Sequence, residues 1–231
     1  MSRRDEIAGN LAAVRGRIEG ACAEAGRDPG EVRLVVVTKF FPASDVRLLA
    51  ALGITDLGEN RHQEAQAKVA ECADLGLTWH FIGGLQSNKA AAVAAYSQVV
   101  ESVDRVKLVA PLARGAHGPQ PLDCLLQVSL DPPGESGRAG ADPATLDELA
   151  RAVEDAPPLR LRGLMAVAPL GEDPAAAFGR LARIRQDFLA GHPAADWLSA
   201  GMSGDLEEAV RAGATHVRVG SAILGSRPRV K

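Results

Sequence analysis

The sequence predicts a closed barrel of eight parallel strands alternating with helices, a (β/α)₈ or TIM barrel, preceded by one additional N-terminal helix. Short apolar runs alternate with segments of helical periodicity along the chain, and this alternation is typical of parallel sheets. The apolar runs number eight, which is the number of strands in a closed barrel of this kind. An open doubly wound sheet is the alternative arrangement.

The elements follow one another in a regular order. An amphipathic helix is predicted over about residues 5 to 25, and Gly26 with the turn RDPG ends it. The eight apolar runs that follow are predicted strands over residues 32–39, 54–58, 77–83, 98–103, 122–130, 159–168, 196–202 and 216–220. The segments between them, such as PATLDELARAVEDA, have helical spacing with Gly or Pro at their ends.

Composition narrows the class of protein. The chain has 231 residues and 46% hydrophobic content, which suits one domain over residues 1–231, since barrels of this length are commonly single domains. A formal net charge of −3 without a basic cluster argues against nucleic acid as a partner. Neither a leader nor a membrane span is recognisable, so we expect a cytoplasmic protein.

The cysteines and histidines give no sign of a metal site. Cys22, Cys72 and Cys124 are widely separated and form no CxxC pair, which favours free buried thiols in a reducing compartment. The five histidines form neither HxH nor HExxH. We therefore predict no bound metal.

Lys39 ends the first predicted strand, in the stretch VVVTKFFP. A lysine at this position is either a solvated end of the strand or a partly buried amine that forms a Schiff base. The chain has only five lysines, and Lys68 and Lys107 fall on the polar faces of helical segments. In a barrel, functional residues lie at the C-terminal ends of strands, where His80 and Lys39 are also predicted to lie.

Arg218 lies on the inward face of the last strand. Alternation in HVRVG directs His216 and Arg218 inward and the two valines outward. A buried guanidinium needs a partner, and Asp56 or Glu101 could supply it in a purely structural ion pair.

Two turns follow the last two strands. Gly220 and Ser221 open a short helix that presents free N–H groups to an anion, or they form an ordinary turn. Ser203 and Gly204 repeat this arrangement one unit earlier, although Asp205 and two glutamates in the next helical turn would repel a phosphate.

The combination is more specific than its parts. A strand-end lysine, an inward arginine and two glycine–serine turns would hold an aldehyde cofactor by its carbon, its ring and its phosphate, which are the contacts that pyridoxal phosphate needs. In GENRHQE, Asn60 and Gln63 have the spacing of a helix-capping box, and capping is the default interpretation of Asn60.

Five blocks of the sequence resemble, in order and spacing, the pyridoxal-phosphate homeostasis protein family, whose members are similar to the barrel of alanine racemase. The resemblance covers about residues 5 to 227, and the blocks are VVVTKFFP, GENRHQE, WHFIGGLQSNK, LRGLMAVAP and LSAGMSGDLEEAVRAGATHVRVGSAILG. It implies that the cofactor is pyridoxal 5′-phosphate. Its implied site consists of Lys39 as the Schiff base, Arg218 facing the pyridine nitrogen, Ser203, Gly204, Gly220 and Ser221 at the phosphate, and Asn60 and Met202 near the ring.

The chain departs from the family pattern at three positions. Gly84 replaces a common proline, Ser221 a common threonine, and Arg138, in the loop of residues 131–142, a common lysine. The first two departures keep the phosphate site plausible, whereas the third leaves the role of that loop open.

The resemblance implies a monomeric carrier or regulator of vitamin B6 and amino-acid homeostasis with little catalysis of its own. Such a protein delivers, buffers or senses the cofactor, and apo-enzymes that require pyridoxal phosphate are candidate partners. An arginine at the ring nitrogen weakens the cofactor as an electron sink, and the only tyrosine, Tyr96, ends a predicted helix. The alternatives are an amino-acid racemase or decarboxylase of the same barrel type, and a cofactor-free Schiff-base aldolase that acts on a sugar phosphate.

Overall fold

Eight parallel strands form the centre of the molecule. The computed structural model describes residues 2–131 and 139–226, and its strands close in sequence order, with β8 pairing to β1. The strands are β1 (Arg33–Val37), β2 (Asp56–Glu59), β3 (Thr78–Phe81), β4 (Val99–Val103), β5 (Leu122–Gln127), β6 (Leu159–Met165), β7 (Trp197–Ser199) and β8 (His216–Val219). The predicted closed barrel is confirmed, and the open sheet was wrong.

Helices surround the barrel. They are α1 (Arg3–Glu24), α2 (Ala43–Ala51), α3 (His62–Glu71), α4 (Ser87–Ala94), α5 (Val109–Gly115), α6 (Leu146–Glu154), α7 (Pro174–Gly191), α8 (Leu206–Arg211) and α9 (Ser221–Leu224). The predicted N-terminal helix is therefore confirmed, with slightly earlier bounds. It starts early because Ser2 caps it in a reciprocal capping box with Asp5.

The outside of the barrel is apolar and the inside is partly polar. Val217 and Val219 point outward and pack in one buried cluster with Ile7 and Leu11 of α1, as the alternation in β8 predicts. Burial of this apolar surface is the main favourable contribution to folding. The interior holds buried charged groups in place of the branched aliphatic residues common in such barrels.

Helix α1 also supports the last turn of the barrel. The Asn10 Nδ2 group donates to the Ile223 carbonyl at 2.9 Å, and an Arg3 Nη2 group donates to the Leu224 carbonyl at 2.9 Å. Arg17 donates to the Ser203 carbonyl at 3.0 Å. The helix therefore holds the chain segments that follow β7 and β8 from the outside.

Several features of composition can be compared with the structure. All three cysteines are buried and free, as predicted. Within residues 2–131 and 139–226, no cluster of three or more His, Cys, Asp or Glu side chains is arranged for a metal ion. None of the helices in those ranges has the length and apolar character needed to span a membrane. Arg138 lies outside the described residues.

Candidate functional site

Lys39 lies in a tight turn directly after β1. The turn is closed by the Phe41 N–H, which donates to the Thr38 carbonyl at 3.0 Å, while the Thr38 N–H donates to the Gly58 carbonyl of β2 at 3.0 Å. Phe40 has a φ of 70°, a left-handed conformation that is rare without glycine and costs about 1–3 kcal/mol. The fold holds the half-buried Lys39 in this strained turn, which is typical of functional sites.

Lys68 of α3 anchors the Lys39 turn through hydrogen bonds. Its Nζ donates to the Thr38 carbonyl at 2.7 Å, to Glu59 Oε1 at 2.5 Å and to Glu64 Oε1 at 3.2 Å. Lys68 lies on a helix, as predicted, but its side chain is only 5% exposed, so the polar face is buried at this position. Glu64 in turn accepts from the Phe40 N–H, and this small network fixes the backbone on both sides of Lys39.

Arg218 points into the barrel, as predicted, and is almost fully buried. One Nη group donates to Ser199 Oγ at 2.6 Å, and the other donates to the Ala166 carbonyl at 2.9 Å. Its acidic neighbour is Glu101 at 3.8 Å, one of the two carboxylates that the sequence allowed. Burial lowers the pKa of Arg218 and Glu101 opposes this effect, but a guanidinium stays protonated in proteins.

Behind Arg218, a line of alternating charges crosses the barrel. Glu101 contacts His80 Nδ1 at 2.8 Å, and His80 Nε2 contacts Asp56 Oδ1 at 3.1 Å. Asp56 then meets Arg33 at 3.4 Å. The second carboxylate candidate therefore belongs to His80 and Arg33 instead of Arg218, because Asp56 begins β2 at the opposite end of the barrel.

This environment sets the charge of each group. Burial alone would lower the pKa of His80, but hydrogen bonds to Asp56 and Glu101 raise it above its ordinary value. Burial would raise the pKa of Glu101, yet the hydrogen bond and charge of His80, and then Arg218, bring it down to about 2. Ser199 also donates to Glu101, so the carboxylate and the serine together orient the Arg218 guanidinium. Sequence reasoning assigned no role to Ser199, although it lies in the family block that begins LSAGMSGD.

The turn after β8 begins with Gly220. A side chain here would bring a Cβ to 3.1 Å from the Val37 carbonyl, so the backbone passes close to the end of β1. Gly220 precedes α9 without a side-chain cap, and Ser221 is exposed. The glycine therefore opens a short helix, as predicted, and the ordinary serine-capped turn is not formed.

The turn after β7 comes close to the turn after β8. Ser203 Oγ is 3.4 Å from both Ser221 Oγ and the Ala222 backbone nitrogen, and Gly204 has open space around it. Met202 is 40% exposed. The carboxylate of Asp205 is engaged by the Met202 N–H.

The acidic residues that argued against an anion here are partly neutralised. Glu207 is held by two hydrogen bonds from Arg17, at 2.6 and 2.7 Å, and the bond from Arg17 lowers the pKa of Glu207. Because Arg17 comes from α1, this compensation could not be read from the local sequence.

Asn60 follows β2 directly, but it does not cap α3. The helix begins one residue later, with Arg61 in the capping position and no side-chain cap, so the capping-box interpretation was wrong. The Asn60 side-chain oxygen is buried and has no hydrogen-bond partner within the described ranges. A Cβ on Gly83 would overlap the Asn60 backbone, which shows how closely the loop after β3 packs against it.

Parallel strands bring all these segments to one end of the barrel. The candidate site residues follow four strands that are consecutive around the ring, in the order β7, β8, β1 and β2. They are Met202 to Gly204 after β7, Gly220 and Ser221 after β8, Lys39 after β1 and Asn60 after β2. The site fits a ligand with a polar aromatic ring and a phosphate group. It offers the unpartnered Asn60 oxygen, the remaining Arg218 N–H groups and the backbone of the glycine–serine turns.

The comparisons with known proteins agree with this geometry. The barrel and its end-of-strand site define an alanine-racemase-type barrel, and residues 9–228 match the family model of the alanine racemase N-terminal domain. An alanine racemase from Corynebacterium glutamicum shares the fold alone, with a TM-score of 0.65 at 18% identity over 99% of this chain and 63% of that one.

More similar relatives narrow the family. The pyridoxal phosphate homeostasis protein of Pseudomonas aeruginosa is 47% identical over 222 residues, which cover 96% of each chain. PipY of Synechococcus elongatus, whose structure was solved with PLP bound, is 37% identical with a TM-score of 0.81, over 95% of this chain and 100% of that one. The chain belongs to the pyridoxal phosphate homeostasis protein family.

Proposed function

We propose that this chain is a single-domain protein over residues 1–231 that binds pyridoxal 5′-phosphate and serves intracellular vitamin B6 and amino-acid homeostasis. One observation carries the proposal. Arg218, buried and oriented by Ser199 and Glu101, lies on the strand beside the one that ends in the strained Lys39 turn. The membership of the homeostasis family supports the same conclusion.

Each group at the mouth of the barrel has a separate task in this proposal. The Lys39 amine would hold the cofactor at its aldehyde carbon, and Arg218 would donate to the pyridine nitrogen. The remaining contacts are the phosphate turns, Ser203, Gly204, Gly220 and Ser221, and the two residues beside the ring, Asn60 and Met202. Free backbone N–H groups in such turns suit a phosphate because they are uncompensated donors.

A carrier role follows from the protonation of Arg218. Pyridoxal phosphate, when bound, supplies an electron sink for the carbon attached to an amine, and the sink is strongest with a protonated ring nitrogen. Arg218 keeps its own proton, balanced by Glu101, and so leaves that nitrogen unprotonated.

Among the described residues assigned to the site, the Lys39 amine is the only group that can act as a base at neutral pH. Tyr96 contacts the His62 ring, and burial raises its pKa above the ordinary value, which makes it a poor base at neutral pH. These features support a protein that holds the cofactor with little catalysis of its own. We propose further that it acts as a cytoplasmic monomer and exchanges the cofactor with apo-forms of enzymes that require it.

The proposal is tested by the visible absorption spectrum of the purified protein with pyridoxal phosphate, beside Lys39→Ala and the exposed-lysine control Lys107→Ala. We expect an absorption band that borohydride removes in the wild type and in Lys107→Ala, and no such band in Lys39→Ala. A band that persists in Lys39→Ala would refute the assignment of that lysine. Absence of a band in every protein would refute cofactor binding and favour the sugar-phosphate aldolase.

A second measurement separates a carrier from an enzyme. Loaded protein is incubated with amino acids in deuterated water, and exchange of the α-hydrogen is followed by NMR. Exchange no faster than with free cofactor is the expected result. Stereochemical inversion at a substantial rate would favour the racemase.

A further inference from the structure

A polar cavity lies beside the end of the barrel that carries the proposed cofactor site, between the start of α3 and the start of α4. It has a volume of about 680 Å³ and is lined among others by Arg61, His62, Glu64, Gln86 and Lys89. Of the residues assigned to the cofactor, only Asn60 borders it. The cavity is large enough for a small metabolite.

The cavity carries positive charge that the protein does not balance. Within the described ranges, neither Arg61 nor Lys89 has a carboxylate within salt-bridge distance. The Arg61 guanidinium makes a cation–π contact with Phe40, with Cζ 5.3 Å from the ring centroid. Glu64, the one carboxylate in the lining, is already engaged by Lys68 and by the Phe40 N–H. Arg61 and Lys89 therefore have no counter-charge from the described part of the protein.

Backbone donors add to this potential. Arg61 and Gln86 are the capping residues of α3 and α4, and neither helix has a side-chain cap. The first N–H groups of an uncapped helix are unpaired donors at the positive end of the helix dipole. Two such ends meet at one cavity together with the unbalanced cations.

His62 provides an internal reporter of the charge. Its ring lines the cavity and stacks on Tyr96 with a centroid separation of 5.9 Å. Burial, and then the positive charge of Lys89, lower the pKa of His62. An anion in the cavity would reverse the second effect.

We propose that this cavity binds the phosphate group of a small phosphorylated metabolite, at a site separate from the phosphate turns after β7 and β8. Two cations and two helix ends match a dianion better than a monocarboxylate, because each adds to the attraction of the second charge. The proposal does not depend on cofactor binding at Lys39.

The test is a titration of histidine-labelled protein with inorganic phosphate, followed by the NMR signal of the His62 ring, which His62→Gln assigns. The protein is first loaded with pyridoxal phosphate, and unbound cofactor is removed before phosphate is added, so that no other phosphorylated ligand competes for the cavity. If the protein does not take up the cofactor, the same titration is carried out on the unloaded protein. We expect a saturable shift of His62, with the ring becoming easier to protonate. Acetate is titrated in parallel as a monoanionic carboxylate.

Two variants and one matched control decide the outcome. Lys89→Gln and Arg61→Gln should each weaken phosphate binding about tenfold, since a hydrogen bond to a charged group contributes about that factor. Lys107→Gln, an exposed lysine outside the cavity, should bind like the wild type. No saturable shift of His62, unchanged affinity in both cavity variants, or equal affinity for acetate would each overturn the proposal. None of these outcomes bears on the Lys39 band, so the two proposals fail independently.

Discussion

The buried amine of Lys68 allows a sharp test of how the Lys39 turn is held. In Lys68→Met, the hydrogen bonds to the Thr38 carbonyl and to Glu59 are lost, and Glu59, which is 2% exposed, is left without its cation. Removing one partner of a buried ion pair typically destabilises a protein by about 3–5 kcal/mol. Because one Glu59 oxygen already lacks a partner within the described residues, we expect a loss of about 3–5 kcal/mol.

The assay is equilibrium unfolding in urea. With a slope of about 2–3 kcal/mol per molar urea, the expected loss lowers the midpoint by about 1–2.5 M at pH 7.5. The difference from wild type should shrink at pH 5, since an uncompensated Glu59 can take up a proton and cease to be a buried charge. The affinity for pyridoxal phosphate should also fall, because the Thr38 carbonyl loses its anchor beside Lys39.

Two controls make this prediction refutable. Lys107→Met removes an exposed lysine and should change stability by less than about 0.5 kcal/mol. Adding Glu59→Gln to Lys68→Met should recover part of the loss, because the unpaired charge disappears. A loss below about 1 kcal/mol in Lys68→Met, with an unchanged slope at pH 7.5, would refute the role of the ion pair.

Three further predictions concern the barrel and its supports. Gly163→Ala should destabilise the protein by at least about 2 kcal/mol, because the new Cβ would overlap the Trp197 carbonyl and the Gly163 φ is 150°. Gly9→Ala on the open face of α1 should instead stabilise the protein by about 0.5–1 kcal/mol; thermal unfolding measures both variants, and equal melting temperatures would refute the contrast. Arg17→Gln should weaken pyridoxal phosphate binding several-fold in an absorbance titration, because it releases the Ser203 carbonyl and frees Glu207; unchanged binding would show that α1 does not hold this turn. The folded-state pKa of Glu101 is about 2, below the ordinary value of an unfolded glutamate, so its contribution to stability is present above about pH 4.3 and is lost as the pH falls toward 2. Urea unfolding between pH 5 and 2.5 should therefore show the free energy of unfolding falling more steeply for the wild type than for Glu101→Gln. Parallel curves would argue against the interior charge line.

The strand–helix order was readable from the sequence because apolar runs and helical periodicity are local signals. The run 216–220, for example, became β8 over His216–Val219, with Arg218 inward and both valines outward. Strand ends were less well defined, as in the run 54–58, which became Asp56–Glu59. Hydrogen bonds to neighbouring strands determine those ends, and the pattern of one strand does not contain them.

Contacts between distant segments could not be predicted. Helical periodicity places Lys68 on a polar face, but it does not give what that face meets; here it meets Glu59 and the Thr38 carbonyl. Likewise, the partner of Arg218 could be narrowed to two carboxylates, and only the position of each carboxylate along the barrel axis selects Glu101. The family resemblance supplied the site residues, whereas the groups that orient them required the structure.

The pairing of β1 with β8 has a consequence for how the site comes into being. Lys39 follows the first strand of the ring, while Arg218, Gly220 and Ser221 belong to the last, and the two strands are joined along Arg33–Val36 and His216–Val219. The groups proposed to bind opposite ends of the cofactor therefore lie on the two strands whose pairing closes the barrel. During synthesis, the amine is made some 180 residues before the guanidinium, so a growing chain has no complete binding site until its final strand docks. Cofactor binding would thus stabilise the closed ring and not its partly assembled forms.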